Sequence, residues 1–258
     1  MGKLIASWSP ILGKSGVTTT TTVLATVAAI NKPYASLLMN ASNNPNIIDN
    51  LISTTSTKNA VFGEGIEGLK RLISSNLITP ESVPDYAENI LSNKLDIILG
   101  SKLEEVQTML LLRNAINAYE FTWIDLYNCD NDFANVVLKE ADHILIHLPQ
   151  SLYEIENSLS YLEPYLQSNN ISLIIGQYDK QASLSVKNIK RKFKLNVPIY
   201  QMSYSSTLKN ALNDKNLIEY LLKVAKQERY TEKNMFVKDA NEIIDSLIAH
   251  LSNNREDW

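Results

Sequence analysis

The fold is decided by the stretch Lys3-Leu-Ile-Ala-Ser-Trp-Ser-Pro-Ile-Leu-Gly-Lys-Ser-Gly-Val-Thr-Thr-Thr-Thr21. Its first part, Lys3 to Trp8, is an apolar run of strand length, and Ser9-Pro10 interrupts it. A loop of small residues follows, and a helical pattern of apolar residues extends from Thr20 to Ile30. A strand, a small-residue loop and a helix start predict a phosphate-binding site, because backbone N–H groups and the helix dipole both favour an anion there.

The small-residue loop does not meet the strict P-loop pattern, GxxxxGK[ST]. Aligning the end of that pattern with Gly13-Lys14-Ser15 places Trp8 at the first glycine. A second alignment starts at Lys14, where the octapeptide Lys14-Ser-Gly-Val-Thr-Thr-Thr-Thr21 resembles the deviant Walker A box, KGGVGKTT, of the ParA/MinD family of P-loop ATPases. The alternative interpretation is that Thr18 to Thr22 is only a polar helix start, since threonine caps helices well.

The resemblance implies a role for each position of the box. Lys14 matches the family's signature lysine, which reaches across a nucleotide-sandwich dimer to the partner's phosphates. Thr20 matches the hydroxyl that ligates Mg²⁺. Thr19 stands where the phosphate-binding lysine belongs, so a point charge between the β- and γ-phosphates is missing. The implied nucleotide-binding residues are Lys14, Ser15, Gly16, Val17, Thr18, Thr19, Thr20 and Thr21.

Two acidic positions of the family fall on identifiable residues of this sequence. The family's second strand ends in an acidic box, D-x-D-P, and here Asn40 occupies its first aspartate position. The run Tyr119 to Tyr127 resembles the family strand that ends in the Walker B aspartate, which Asp125 matches. The resemblance therefore implies Thr20 and Asp125 as magnesium ligands, with Lys14 and Asn40 at catalytic positions. A strand-end aspartate that only makes a turn is the alternative for Asp125.

Base recognition is expected to differ from that of the family. The run Asn170 to Asp179 resembles the family strand that ends in "Nryd", whose asparagine often contacts the adenine base. Gly176 takes the place of that asparagine, so the side chain that would bind the base is missing.

The remaining chain alternates apolar runs of strand length with helical patterns. Uniformly apolar strands alternating with helices predict an α/β fold, with a mostly parallel central sheet of about seven strands and helices on both faces. No linker or repeat divides the sequence, so residues 1–258 are expected to form one domain that includes C-terminal helices within 218–258. The predicted strands are Lys3–Trp8, Tyr34–Met39, Lys94–Ser101, Tyr119–Tyr127, Ala141–Pro149, Asn170–Asp179 and Asn196–Gln201.

Composition excludes several classes of protein. The longest apolar runs are too short to cross a bilayer, so no integral membrane segment is expected. A single cysteine, Cys129, excludes an internal disulfide and fits the reducing cytoplasm. With only three histidines beside it, a zinc site is disfavoured. No Ser/His/Asp or Cys/His triad finds support in the sequence.

The net charge of −4 is unevenly distributed. Residues 180–233 contain twelve Lys/Arg and four Asp/Glu, and the densest part supplies Lys187, Lys190, Arg191, Lys192 and Lys194. One interpretation is a basic face for DNA phosphates or for an acidic partner protein. The other is a solvated amphipathic helix.

The resemblance implies ATP and Mg²⁺ as cofactors and a homodimer as the active form. It is greatest to the TadZ-like pilus-assembly branch, which also can carry threonine for the Walker lysine after a Ser-Pro. The implied function is a localisation or assembly factor for a pilus, secretion or conjugation machine, with slow or absent ATP hydrolysis. A partition ATPase that binds non-specific DNA and a nucleotide-free pseudo-ATPase scaffold are the alternatives.

Overall fold

The computed structural model of the protein describes residues 1–41, 48, 52, 65–98, 103–129 and 131–253. Across these residues, eight strands form one sheet. They are β1 (Lys3–Trp8), β2 (Ser36–Asn40), β3 (Glu88–Leu91), β4 (Leu95–Ile98), β5 (Phe121–Asp125), β6 (His143–Pro149), β7 (Ile171–Tyr178) and β8 (Ile199–Ser203). Their order in the sheet is β3-β4-β2-β5-β1-β6-β7-β8.

All pairings in this sheet are parallel except that of β3 with β4. The strand β1 lies near the centre, with β5 on one side and β6 on the other. Its residues 4–8 are buried, as expected for a strand covered on both faces. The predicted α/β class with a mostly parallel sheet is therefore confirmed. The strand beyond the seven that the sequence predicts is β3, which forms an antiparallel edge.

Ten α-helices cover the sheet in the described part of the chain. They are α1 (Val17–Asn31), α2 (Gly65–Ser74), α3 (Val83–Tyr86), α4 (Glu105–Ala118), α5 (Asn131–Glu140), α6 (Leu152–Leu162), α7 (Val186–Phe193), α8 (Ser206–Asn213), α9 (Leu217–Val224) and α10 (Met235–Asn253). One hydrophobic core joins the sheet to α1, α9 and α10, and the other joins it to α4, α5, α6 and α7. The predicted helices on both faces are thus present.

The residue pattern of Thr79–Glu88, between α2 and β4, predicts a helix with Pro80 near its start, but the structure of this segment is different. It forms a 3₁₀ turn, Pro80–Ser82, then the single turn α3, and then strand β3. Pro84 would lie in the interior of such a helix and lacks an N–H donor, which makes a continuous helix unfavourable. The strand gains backbone pairing with β4, and Asn89 Nδ2 donates to Asp96 Oδ1 at 2.7 Å.

Helix α1 begins at Val17, three residues before the expected start at Thr20. Its threonines are almost all buried, although they are polar. The hydroxyls of Thr21 and Thr22 each donate to the carbonyl oxygen four residues earlier, at 2.8 Å in both cases. Bonds within the helix thus satisfy the Thr21 and Thr22 hydroxyls, whereas the buried hydroxyls of Thr18 and Thr26 have no hydrogen-bond partner among the described residues.

The two C-terminal helices expected within 218–258 are α9 and α10, and both pack against α1. Residues 254–258 lie outside the described residues. No helix in the described part of the chain combines the length and apolarity needed to cross a membrane.

Two buried histidines lie on β6. The His143 ring nitrogen Nε2 is 3.0 Å from Ser172 Oγ, and the ring lies edge-to-face with that of His250. His147 is completely buried, and neither ring nitrogen has a hydrogen-bond partner among the described residues. Burial lowers the pKa of His143 to about 4 and that of His147 to about 3. Both rings are therefore neutral at pH 7.

We expect His147 to make the folded state sensitive to mild acid. The unfolded chain protonates this histidine below its ordinary pKa of 6.5, whereas the folded chain does not until near pH 3. Folding is therefore opposed increasingly as pH falls, by about 2 kcal/mol between pH 6.5 and pH 5. Chemical denaturation at both pH values, on the wild type and on His147→Leu, measures this contribution. An equal pH dependence in the two proteins would contradict the assignment.

Candidate functional site

The loop between β1 and α1 has an unusual backbone. Gly13, Lys14 and Gly16 have φ values of 75°, 59° and 68°, which lie in the left-handed region. Gly16 is the N-cap of α1, and no side chain in the described structure caps that helix start. A left-handed residue followed by a right-handed one aims successive N–H groups at the same side. The first N–H groups of α1 therefore remain available to an anion, as the sequence predicts.

Strand β7 holds this loop in place through a very close backbone approach. A Cβ atom on Gly176 would lie 2.2 Å from the carbonyl oxygen of Ser15, so only glycine fits at this position. The next residue, Gln177, places its Nε2 3.5 Å from the Lys14 carbonyl oxygen. In the sequence, Gly176 takes the place of the family's base-contacting asparagine. In the structure, the absence of a side chain at Gly176 is also what allows the loop to pack against β7.

A row of polar residues crosses the carboxyl ends of three adjacent strands. Asn40, Asp125 and Ser7 are register neighbours on β2, β5 and β1. Asp125 is fully buried, and its Oδ1 accepts a hydrogen bond from the N–H of Tyr127 at 2.9 Å. Within the described residues its Oδ2 has no hydrogen-bond partner, and neither have the hydroxyls of Ser7 and Ser15. Burying such atoms without partners is costly, so a ligand is expected to satisfy them.

Burial raises the pKa of Asp125 to about 6. The Thr18 hydroxyl and the Tyr127 N–H oppose this rise. Thr18 lies near the carboxyl group, but in the described structure its hydroxyl makes no hydrogen bond of normal geometry. A cation beside Asp125 would favour the charged form, because opposite charge stabilises a carboxylate.

These residues fit a magnesium–nucleotide complex only in part. Magnesium uses one or two protein oxygens and the phosphates of its nucleotide, which matches a lone carboxylate beside the helix start. Asp125 would hold the ion together with the Thr20 hydroxyl that the resemblance implies, and the ion would supply charge neutralisation for the phosphates. The threonine next to the Asp125 carboxyl group in the structure is Thr18. Thr19 is half-buried beside Thr20 and adds no positive charge. No cluster of three His, Cys, Asp or Glu suitable for a metal occurs among the described residues.

A cleft of about 320 Å³ opens beside the start of α1, within the size range of small-molecule sites. Gly16, Thr19 and Thr20 form one wall. The opposite wall comes from residues 202–205, after and at the end of β8, and from α8, with Gln177 also contributing. A second cleft of about 370 Å³ adjoins it and shares Gln177, Ser203 and Tyr204. No local sequence pattern marks the α8 wall, because the residues of α8 and those at the start of α1 lie far apart along the chain.

Lys14 is separate from this cleft. Its backbone belongs to the loop, but its side chain is 73% exposed and its Nζ lies 3.2 Å from Glu154 Oε1 in the first turn of α6. The structure therefore places Asn40 beside Asp125 in the sheet register and Thr18 near the Asp125 carboxyl group, and it directs the Lys14 ammonium elsewhere. Its implied roles at the phosphates stay predictions, as does the role of Thr21, whose hydroxyl is bonded within α1.

The basic residues predicted to contact DNA or an acidic partner lie on and just after α7. All are exposed, and Ile189 is the buried residue that fixes the helix to the core. One of them, Lys192, forms an ion pair with Glu156 at 3.1 Å. The five cations are Lys187, Lys190, Arg191, Lys192 and Lys194.

The fold is that of the ParA/MinD ATPases. A ParA family ATPase from Chlorobium tepidum superposes with a TM-score of 0.72 at 13% identity, covering 96% of this chain and 99% of that one. A putative plasmid partition protein from Borrelia burgdorferi bound to AMPPNP superposes with a TM-score of 0.62 at 18% identity, covering 95% of this chain and 99% of that one. The cell division ATPase MinD from Pyrococcus furiosus superposes with a TM-score of 0.65 at 13% identity, covering 95% of this chain and 100% of that one. Neither protein-family models nor curated protein sequences give a match to this sequence.

We expect Gly176→Ala to displace the loop after β1. The added methyl group would overlap the Ser15 carbonyl, and backbone on both sides leaves no flexible group to yield. Overpacking of this kind costs about 1–3 kcal/mol of unfolding free energy. The displaced N–H groups should also weaken binding of Mg·ATP by at least about tenfold. Denaturation and calorimetric titration measure the two effects, and unchanged values in both would contradict the close approach.

We expect Asp125→Asn to stabilise the empty protein. At pH 8 the buried carboxylate is charged, and its raised pKa corresponds to a cost on the order of 2–3 kcal/mol, which a neutral amide of the same shape avoids. The matched control is Asp96→Asn, because Asp96 accepts hydrogen bonds from Tyr119 and Asn89, both at 2.7 Å. Denaturation at pH 8 should give opposite signs for the two variants. A comparable loss of stability in both would contradict the prediction.

Proposed function

We propose that this protein binds a magnesium–nucleotide, with ATP as the expected ligand, at the start of α1. The observation that carries the proposal is the uncapped helix start at Gly16 beside buried Ser15 and Asp125 oxygens that lack partners among the described residues. A phosphate chain and its magnesium ion would satisfy these groups together. The shared fold with a putative plasmid partition protein that was solved with AMPPNP supports a nucleotide as the ligand.

The biological role that we propose is that of a dimerising localisation or assembly factor in the cytoplasm. The ParA/MinD fold supports this class, since partition and cell division proteins share it. Within the class, the threonine at position 19 after Ser9-Pro10 resembles the TadZ-like branch. The proposed client is accordingly a pilus, secretion or conjugation machine, and residues 1–258 act as one domain.

Hydrolysis is proposed to be slow or absent. Thr19 supplies no charge at the phosphates, and Asn40, beside Asp125 in the sheet register, cannot act as a carboxylate. Single electrostatic groups of this kind contribute on the order of 10²–10³ in rate. The protein would then act mainly through its nucleotide-bound state, which suits a positional marker.

A partition function with DNA binding is the second candidate. The exposed cations of α7 support it, because phosphate contacts need accessible Lys and Arg side chains. Binding to random-sequence DNA that weakens steeply with salt would favour partition, and its absence would favour the assembly role. A protein that binds no nucleotide would leave the scaffold alternative.

We expect the purified protein to bind Mg·ATP with turnover on the order of 10²-fold or more below that of an ordinary partition ATPase. Thr19→Lys combined with Asn40→Asp should raise turnover at least about tenfold, because it restores both charges. Thr19→Met with Asn40→Asp is the matched control, since methionine has similar length without charge. Phosphate release measures turnover, and light scattering with and without Mg·ATP measures dimerisation. Fast wild-type turnover would contradict the slow-hydrolysis proposal.

A further inference from the structure

A lone cation lies in the wall of the cleft opposite the start of α1. Among the described residues lining this 320 Å³ cleft, Lys209 is the one charged side chain. It belongs to α8, whereas Thr19 and Thr20 belong to the wall formed by α1. Lys209 is exposed and has no ion-pair partner in the described part of the chain. Its charge is therefore available to a ligand in the cleft.

The position of Lys209 is fixed by the rest of α8. Ser205 caps this helix by accepting a hydrogen bond from the Leu208 N–H at 3.2 Å, and its hydroxyl donates to the Lys233 carbonyl at 2.7 Å. Leu208 and Ala211 are buried. Residues spaced three or four apart share one helix face, so Ser205, Leu208, Lys209 and Leu212 all line the cleft. A packed and capped helix therefore carries the lysine.

The other lysine considered for this charge is less well placed. Lys14 directs its ammonium to Glu154, and it is not among the residues that line the cleft. Binding phosphates with Lys14 would require breaking that ion pair and turning the side chain. Lys209 has no ion pair to break in the described part of the chain, and lysine is a flexible point charge that suits phosphate.

We infer that Lys209 supplies, from α8, the positive charge that Thr19 does not supply, by binding the phosphate groups of a nucleotide. This inference rests on the proposed nucleotide site. It adds that the cation comes from a segment about 190 residues downstream of Thr19 in the chain. The ligand class is a nucleoside polyphosphate, because a single cation facing a helix start selects for a chain of negative charge.

The test is the affinity of full-length protein for ATP, ADP and adenosine, with magnesium present, measured by calorimetry. Charge-assisted contacts to phosphate predict that Lys209→Ala weakens ATP binding about tenfold to a hundredfold, weakens ADP less and leaves adenosine unchanged. Lys209→Arg should retain most of the affinity. Lys139→Ala removes an exposed lysine of α5 and is the charge-matched control, with no expected effect.

A double variant sharpens the assignment. If both positions serve the same charge, Thr19→Lys should restore ATP affinity to Lys209→Ala while adding less to the wild type. Unchanged ATP affinity in Lys209→Ala, or an equal loss for adenosine and ATP, would overturn this inference and leave the nucleotide site intact. A wild type that binds none of the three would overturn the site and the inference together.

Discussion

The approach of the Ser15 carbonyl to Gly176 is the contact on which the site depends. It sets the loop after β1 against β7 at van der Waals limits, so the loop cannot relax toward the sheet. The left-handed conformations at Gly13, Lys14 and Gly16 are then imposed, because the chain must still enter α1 in the correct direction. Non-glycine residues rarely adopt that conformation, and surrounding packing has to hold Lys14 in it.

The proposed site has fewer charges than the pattern it resembles. In the proposed alignment Thr19 stands in place of a positive residue and Asn40 in place of a negative one, so the local electric field at the phosphates would be weaker. Asp125 is left as a single buried carboxylate, with Asn40 as its neighbour in the sheet. An arrangement of this kind would give little stabilisation to the charge that develops during hydrolysis.

The sequence predicts the sheet and its helices well because apolar runs report burial directly. The loop, Asp125 and Asn40 are predicted from family motifs that follow apolar strands, and their roles stay predictions. The sequence does not predict β3. A proline upstream of this strand interrupts a helical pattern, and the pairing of β3 with β4 is not visible in the local sequence. It also misses the Lys14–Glu154 pair and the α8 wall, because both join residues far apart in the chain and their side chains are ordinary in local context.

The position of β1 has a consequence for synthesis of the chain. Of the eight strands in the sheet, β1 is made first but lies inside the sheet, and its parallel neighbours are residues 121–125 and 143–149. A growing chain therefore carries this apolar strand without either sheet neighbour until residues 121–125 have been made, and without both until residues 143–149 have been made. Contacts of such separation slow folding and lengthen the exposure of sticky segments. Gly176, against which the loop packs, is made after both of these neighbouring strands. The loop therefore acquires its shape only after β7 has been added.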